Sequence, residues 1–117
     1  MSRIRLALVA AFAALALVVA SAQAATPKLV GTVGPGFTIT LTQGGKKVTT
    51  LMHGRYTIAV SDKSNIHNFH LSGPGLNKST SVGGKGTTAW IVTLKKGTYK
   101  FVCDPHASIM KGSFKVS

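Results

Sequence analysis

From Phe37 to the last residue the chain is built of short runs in which apolar and polar residues alternate, separated by glycine-bearing or polar connections. "FTITLT" alternates strictly over residues 37–42, a Gln43-Gly44-Gly45 turn leads into "KKVTTL", and "RYTIAVSD", "NIHNFHLS", "TTAWIVTL", "TYKFVCD" and "GSFKVS" follow. A period of two lays the apolar side chains on one face of an extended strand, whereas a helix needs a period near 3.6. The breaks fall at His53-Gly54, Gly73-Pro74-Gly75, Gly83-Gly84 and Lys96-Gly97, and "MHGR" reads as a hairpin turn with His53 exposed on it. Short half-apolar strands at this spacing must cover one another, so the expected fold class is all-β, an antiparallel sandwich or barrel. No internal repeat or linker suggests a second domain.

The first residues have a different character. "MSRIR" is basic and leads into fifteen uncharged apolar residues, Leu6 to Ala20, followed by Ala22-Gln23-Ala24. That order is the signature of a secretory signal peptide over residues 1–24, with cleavage expected after Ala24. An uncleaved anchor is the weaker reading, because the run is shorter than the roughly 20 residues a spanning helix needs. The expectation is one domain over residues 25–117, periplasmic or secreted, with no stable membrane insertion after cleavage.

Residues 25–117 keep twelve of the fourteen Lys and Arg residues against Asp62 and Asp104, a net +10 with histidine neutral. Such a balance favours an anionic partner or a solvated basic surface. Nucleic acid is not expected: export separates the chain from it, Arg55 is the one arginine after residue 24, and the lysines are scattered along the sequence.

Only one cysteine is present, so no internal disulfide is available, and a lone thiol in an exported protein calls for an occupant or deep burial. Cys103 closes the alternation "TYKFVC", which places Tyr99, Phe101 and Cys103 on one face and Thr98, Lys100 and Val102 on the other. Asp104-Pro105 then interrupts the ladder, and the chain turns through His106 to Met110 before "GSFKV" resumes a strand. A thiolate, an imidazole and a thioether thus share one loop, a donor set that suits copper in both of its oxidation states. Taken singly, Cys103 reads as a buried structural cysteine and Met110 as core filler. A second imidazole must come from elsewhere. His53 reads as a turn residue; His67 and His70, three apart on a strand, face opposite sides, and periodicity does not choose between them.

"IHNFH", followed 36 residues after His67 by Cys103 in "YKFVCDPHASIMKG", resembles the small blue copper proteins of the plastocyanin, amicyanin, pseudoazurin and azurin group. The resemblance covers essentially residues 25–117 and implies a Greek-key β-sandwich of the cupredoxin kind. It implies one type 1 copper ion with His67, Cys103, His106 and Met110 as ligands, and Asn68 as a brace for the ligand loop with hydrogen bonds near the thiolate. The Cys-x2-His spacing, with Pro105 inside it, is similar to plastocyanin or amicyanin, and the His-x3-Met spacing to azurin. Pro105 also removes a backbone donor from the vicinity of the Cys103 sulfur, which is expected to favour the oxidised metal.

These implications favour a monomeric electron carrier, not an enzyme, since an oxygen-reducing copper enzyme needs a second histidine-rich centre and only His53 and His70 are left. His106, flanked by Pro105, Ala107 and Ile109, is the expected port for the electron, and the net charge points to an acidic redox partner. The alternative is a copper-sequestering or copper-delivery protein using the same ligands. His70, Trp90, Phe69 and Phe101 are expected to be structural, and Asp104 to fix the loop or neutralise a lysine.

Overall fold

The computed structural model describes Ala14 and residues 25–117, so the expected leader, Ala14 apart, lies outside the described residues. Two five-stranded sheets pack face to face. One has the order β3-β2-β1-β5-β8, from β1 (Lys28–Val33), β2 (Ile39–Gln43), β3 (Lys46–Lys47), β5 (Gly54–Asp62) and β8 (Gly86–Leu94). The other has the order β4-β10-β9-β6-β7, from β4 (Thr50–Leu51), β6 (His70–Gly73), β7 (Leu76–Ser79), β9 (Gly97–Val102) and β10 (Lys111–Val116). The expected all-β sandwich is therefore the architecture. No helix among the described residues is long and apolar enough to cross a membrane.

Two pairings, β1 with β5 and β4 with β10, are parallel, which corrects the purely antiparallel expectation. The reason is that the chain changes sheets between consecutive strands. "MHGR" joins β4 of one sheet to β5 of the other, so it is a crossover and not a hairpin turn. The His53 N–H there donates to the Ser117 carbonyl at 2.8 Å, and the Tyr56 hydroxyl donates to the Met52 carbonyl at 2.7 Å. β1 was not among the expected strands, because Gly31 leaves a gap in its apolar face. The ring of Phe69 fills that gap: a Cβ on Gly31 would lie 2.8 Å from it.

The alternation of β5 and β9 is realised as written, whereas "KKVTTL" is divided between β3 of one sheet and β4 of the other. In β5 Tyr56, Ile58 and Val60 are buried; in β9 Tyr99 and Phe101 are, with Cys103 continuing the same face. Aromatic rings stack within the core, Phe69 on Phe101 at 5.7 Å between centroids and Tyr99 on Phe114 at 5.3 Å. Trp90 belongs to the same core. Burying one such side chain stabilises by roughly 1.5–3 kcal/mol, against about 0–1 kcal/mol for an exposed ion pair, so packing and not surface charge holds the sandwich. Phe101 lies against Gly112 of the neighbouring strand, where any Cβ would collide with the ring.

One end of this rigid core carries the residues of interest. "NIHNFHLS" was expected to be a strand throughout, but β6 begins only at His70. β5 is stopped by its own side chains: the Ser64 N–H donates to Asp62 Oδ1 at 3.1 Å and the Ile66 N–H to Ser64 Oγ at 3.2 Å. The chain then crosses the end of the sandwich through His67 and Asn68. It is pinned where Phe69 and Thr80 exchange bonds, the Phe69 N–H to Thr80 Oγ1 at 2.9 Å and the Thr80 N–H to the Phe69 carbonyl at 3.0 Å.

Candidate metal centre

Cys103 sits where β9 runs out. The proline after Asp104 forces a short 3-10 turn, Asp104–His106, with the His106 N–H donating to the Cys103 carbonyl at 3.0 Å. The loop is closed at both ends: the Met110 N–H donates to the His106 carbonyl at 2.8 Å, and the Cys103 N–H to the Met110 carbonyl at 3.0 Å. The thiol and Met110 are thereby held inside, both buried, while His106 is half-buried and Pro105, Ala107 and Ile109 are exposed.

His67 reaches the same place from the crossing segment and is fully buried. Gly34 makes room for it. That residue has φ +74°, and a Cβ there would lie 3.2 Å from His67 Cδ2 and 3.1 Å from Ser64 Cβ, so a larger residue is barred both by conformation and by space.

Three donor atoms converge. Nδ1 of His67 and Nδ1 of His106 are 3.1 Å apart, and Cys103 Sγ is 3.6 Å from each. These sides define an almost equilateral triangle whose centre is about 2 Å from every corner, close to the metal–imidazole and metal–thiolate bond lengths of about 2.0–2.3 Å known for zinc. Two imidazole nitrogens that close need either a shared proton or a common metal ion. The other nitrogen of His67, Nε2, is buried with no hydrogen-bond partner, a position costing about 1–3 kcal/mol that a native fold tolerates when something offsets it. Two imidazoles and one thiolate in a buried triangle fit copper.

His67, Cys103 and His106 are thus brought together, and Met110 lies buried at the closing end of the same loop. His70 is not part of the cluster. It points to the opposite side, with Nδ1 2.8 Å from Asp104 Oδ1 and Nε2 hydrogen-bonded to Asn77 Oδ1. His53 is remote, its Nδ1 2.9 Å from the Ser117 carbonyl.

Asn68 braces the loop through Asp104. The Asp104 N–H donates to Asn68 Oδ1 at 2.7 Å, and Asn68 Nδ2 donates to Asp104 Oδ2 at 2.7 Å and to the Thr80 carbonyl at 3.3 Å. Asp104 therefore clasps both Asn68 and His70. The bond to this carboxylate, with Asn77 assisting and partial burial opposing, raises the pKa of His70. Burial pushes the Asp104 carboxyl up, but bonds from Asn68 and His70 and the nearby imidazolium charge outweigh it and hold it below the usual range.

Sequence reasoning passed over two contributors. Phe37 continues the phase of Ile39 and Leu41, yet β2 starts at Ile39 and Phe37 lies outside the sandwich. Its ring meets both imidazoles edge-on, 5.2 Å from His67 and 5.0 Å from His106, and remains 57% exposed. It covers the centre from solvent. Gly34, the other, looked like any loop glycine; only the approach of His67 gives it a role.

The fold agrees with known structures. A mutant of rusticyanin is similar over 81% of this chain and 80% of its own, with 21% identity and a TM-score of 0.60. Rusticyanin from Thiobacillus ferrooxidans is similar over 81% and 79%, with 25% identity and a TM-score of 0.54. Reduced auracyanin from the photosynthetic bacterium Roseiflexus castenholzii is similar over 80% and 99%, with 20% identity and a TM-score of 0.55. Among curated proteins none matches the chain. Residues 38–117, the stretch that holds every strand from β2 onward and all three converging donors, match the copper binding proteins of the plastocyanin/azurin family, and the chain belongs to that family.

Proposed function

We propose that the chain is an exported electron carrier, with residues 1–24 a leader removed after Ala24 and residues 25–117 a single, monomeric copper domain. In this reading Nδ1 of His67, Nδ1 of His106 and Cys103 Sγ would hold the metal, with Met110 as a further, weaker sulfur donor. The converging triangle of 3.1, 3.6 and 3.6 Å carries the reading. Copper supplies a one-electron Cu(II)/Cu(I) couple. The protein supplies a fixed cage: the loop closed by its own backbone bonds, the Asn68–Asp104 clasp and the buried His67 keep the donors in place whichever oxidation state is bound.

Half-buried His106, ringed by exposed Pro105, Ala107 and Ile109, supports its edge as the electron port. The net +10 of residues 25–117 supports an acidic redox partner. Catalysis is not part of this reading, because His53 and His70 are engaged elsewhere and no second histidine cluster forms among the described residues.

The test is voltammetry of the copper-loaded protein together with a metal-transfer assay. A reversible one-electron wave with fast self-exchange, and copper retained against an apo-acceptor, is the expected result. A sluggish or irreversible wave with copper handed to the acceptor would instead identify a copper-delivery protein.

A further inference from the structure

Four of the eleven lysines, scattered in the sequence, gather on one part of the surface. Residues opposite one another in register share a face, and in the second sheet the outward rows are Lys111, Val102, His70 and Ser79; then Ser113, Lys100, Ser72 and Asn77; then Lys115 beside Thr98 and Thr50. Lys100, Lys111 and Lys115 are all exposed. Lys47, from edge strand β3 of the other sheet, leans over the same surface: with Lys100 and Lys111 it lines a groove of about 500 Å³ that also includes Val102 and Ser113.

The outer face of the first sheet is different. Its rows are Lys47, Thr42, Val30, Ala59 and Ala89; then Thr40, Thr32, Ser61 and Thr87; then Lys28, Thr57 and Ile91; with Arg55 and Thr93 at the end. Positive charge there is limited to Lys28 and Arg55 toward one end and to Lys47 on the edge strand, where the two sheets meet.

No acid balances the lysine face. The one ion pair among the described residues joins His70 to Asp104 at its upper edge, and the second acid, Asp62, is buried in β5 of the other sheet. Register sets each of these lysines opposite a neutral residue, Val102, Ser113 or Thr98, which avoids the penalty of like charges directly opposite while keeping them on one face, and nothing in the fold requires that gathering, since these side chains point to water. The face also abuts the metal centre: Val102 precedes Cys103, and Lys111 follows Met110.

We infer that this surface, Lys47, Lys100, Lys111 and Lys115 with the intervening hydroxyls, is the docking site for an acidic protein, which on the electron-carrier reading is the redox partner. The groove, with Ser113 in its lining, and Ser72 and Thr98 in the adjoining rows offer hydrogen bonds as well as charge to partner carboxylates. An anionic lipid surface fits less well, because no large exposed apolar side chain projects from these rows to enter a bilayer. Arginine and aromatic side chains, which nucleic-acid surfaces favour, are likewise missing from the rows.

The experiment uses the copper(I) protein, poly-L-glutamate as the acidic-protein probe, and two double variants of equal charge change. Lys100→Glu with Lys115→Glu removes the face; Lys28→Glu with Lys85→Glu removes the same charge elsewhere. Amide shifts on adding poly-L-glutamate should map to Lys100, Lys111, Ser113 and Lys115, and the first variant should weaken binding about tenfold more than the second, with both keeping the native blue spectrum after oxidation. Equal weakening by the two variants would reduce the lysines to long-range charge and overturn the site. Binding to phosphatidylglycerol vesicles but not to poly-L-glutamate would overturn the choice of partner. The carrier reading is judged separately: localised binding with no reversible electrochemistry leaves the face and removes the carrier, while fast electron exchange with equal weakening does the reverse.

Discussion

The two arms of the metal centre are made in different ways. One arm is local: Cys103, His106 and Met110 fall within eight residues, and the loop is closed by backbone bonds from Cys103 to Met110 and from Met110 to His106. The other arm is a single side chain, His67, delivered by a segment 36 residues earlier. It is held by Gly34 behind its ring, by Phe37 across its edge and by Asn68 tied to Asp104. The local arm brings two of the three converging donors, with Met110 buried at its closing end, and needs little help. The distant arm has one donor and a large supporting cast, because a side chain with no local closure must be fixed by packing.

Removing a donor from either arm gives the largest effects. Cys103→Ser should abolish the intense visible charge-transfer band, since that band belongs to a copper–thiolate bond. His67→Ala should lose it as well, and His70→Ala should keep it. An optical spectrum after Cu(II) addition reads all three. A blue His67→Ala protein would mean that the distant arm is dispensable.

Copper joins the arms, so loading should stabilise the whole domain. Ligand binding to the native state alone adds about 4 kcal/mol at a thousandfold excess over Kd. Calorimetry with and without copper measures it. The metal-free domain should still fold, because its aromatic core does not depend on the metal; the near-ultraviolet signal of Trp90 would be absent if it did.

A smaller effect concerns Met110, the sulfur at the closing end of the local arm. Met110→Leu should keep the blue band and raise the reduction potential, since loss of a donor sulfur disfavours Cu(II). An unchanged potential in voltammetry would place Met110 among core residues and shorten the local arm to two donors.

The smallest expected effect lies in the clasp between the arms. His70 has a raised pKa, so its contribution to stability is complete below its unfolded value of 6.5 and fades as pH rises through the raised value. Asp104 has a lowered one, so its contribution is complete above 3.8 and is lost as pH falls through the lowered value. The pair should help most between pH 3.8 and 6.5. It is substantially solvated, with side chains 28% and 49% exposed, which keeps the effect small. Melting curves of the wild type and His70→Asn from pH 3 to 8 should differ most inside that window. A constant difference across the range would show a bond indifferent to charge.

Much of the local arm is legible in the sequence. Alternation through Tyr99, Phe101 and Cys103 fixes which way the thiol points, and the proline two residues on fixes where the strand must end, because both follow from backbone geometry over a few residues. The parallel pairings were not legible, since neither partner strand records in its own pattern which neighbour it will meet. The choice of His67 over His70 was no better determined from the residues alone: both sit in one apolar-polar run, and resemblance to a family had to select between them. Only the tertiary structure carries that run across the end of the sandwich, with a strand beginning at His70, and turns one histidine inward and the other toward Asp104.

The same division holds for the surface. Composition determined that the domain is strongly basic, because charge is a sum over residues and needs no structure. Where the charge lies was decided by register: Lys100, Lys111 and Lys115 stand on one face because antiparallel β9 and β10 place alternate residues side by side, and Lys47 joins them from a strand of the other sheet. A sequence determines what each short segment must do, through sterics and period. It does not by itself determine which distant segments meet, since that depends on how two sheets bury their apolar faces together, and the second half of this metal centre is made at such a meeting.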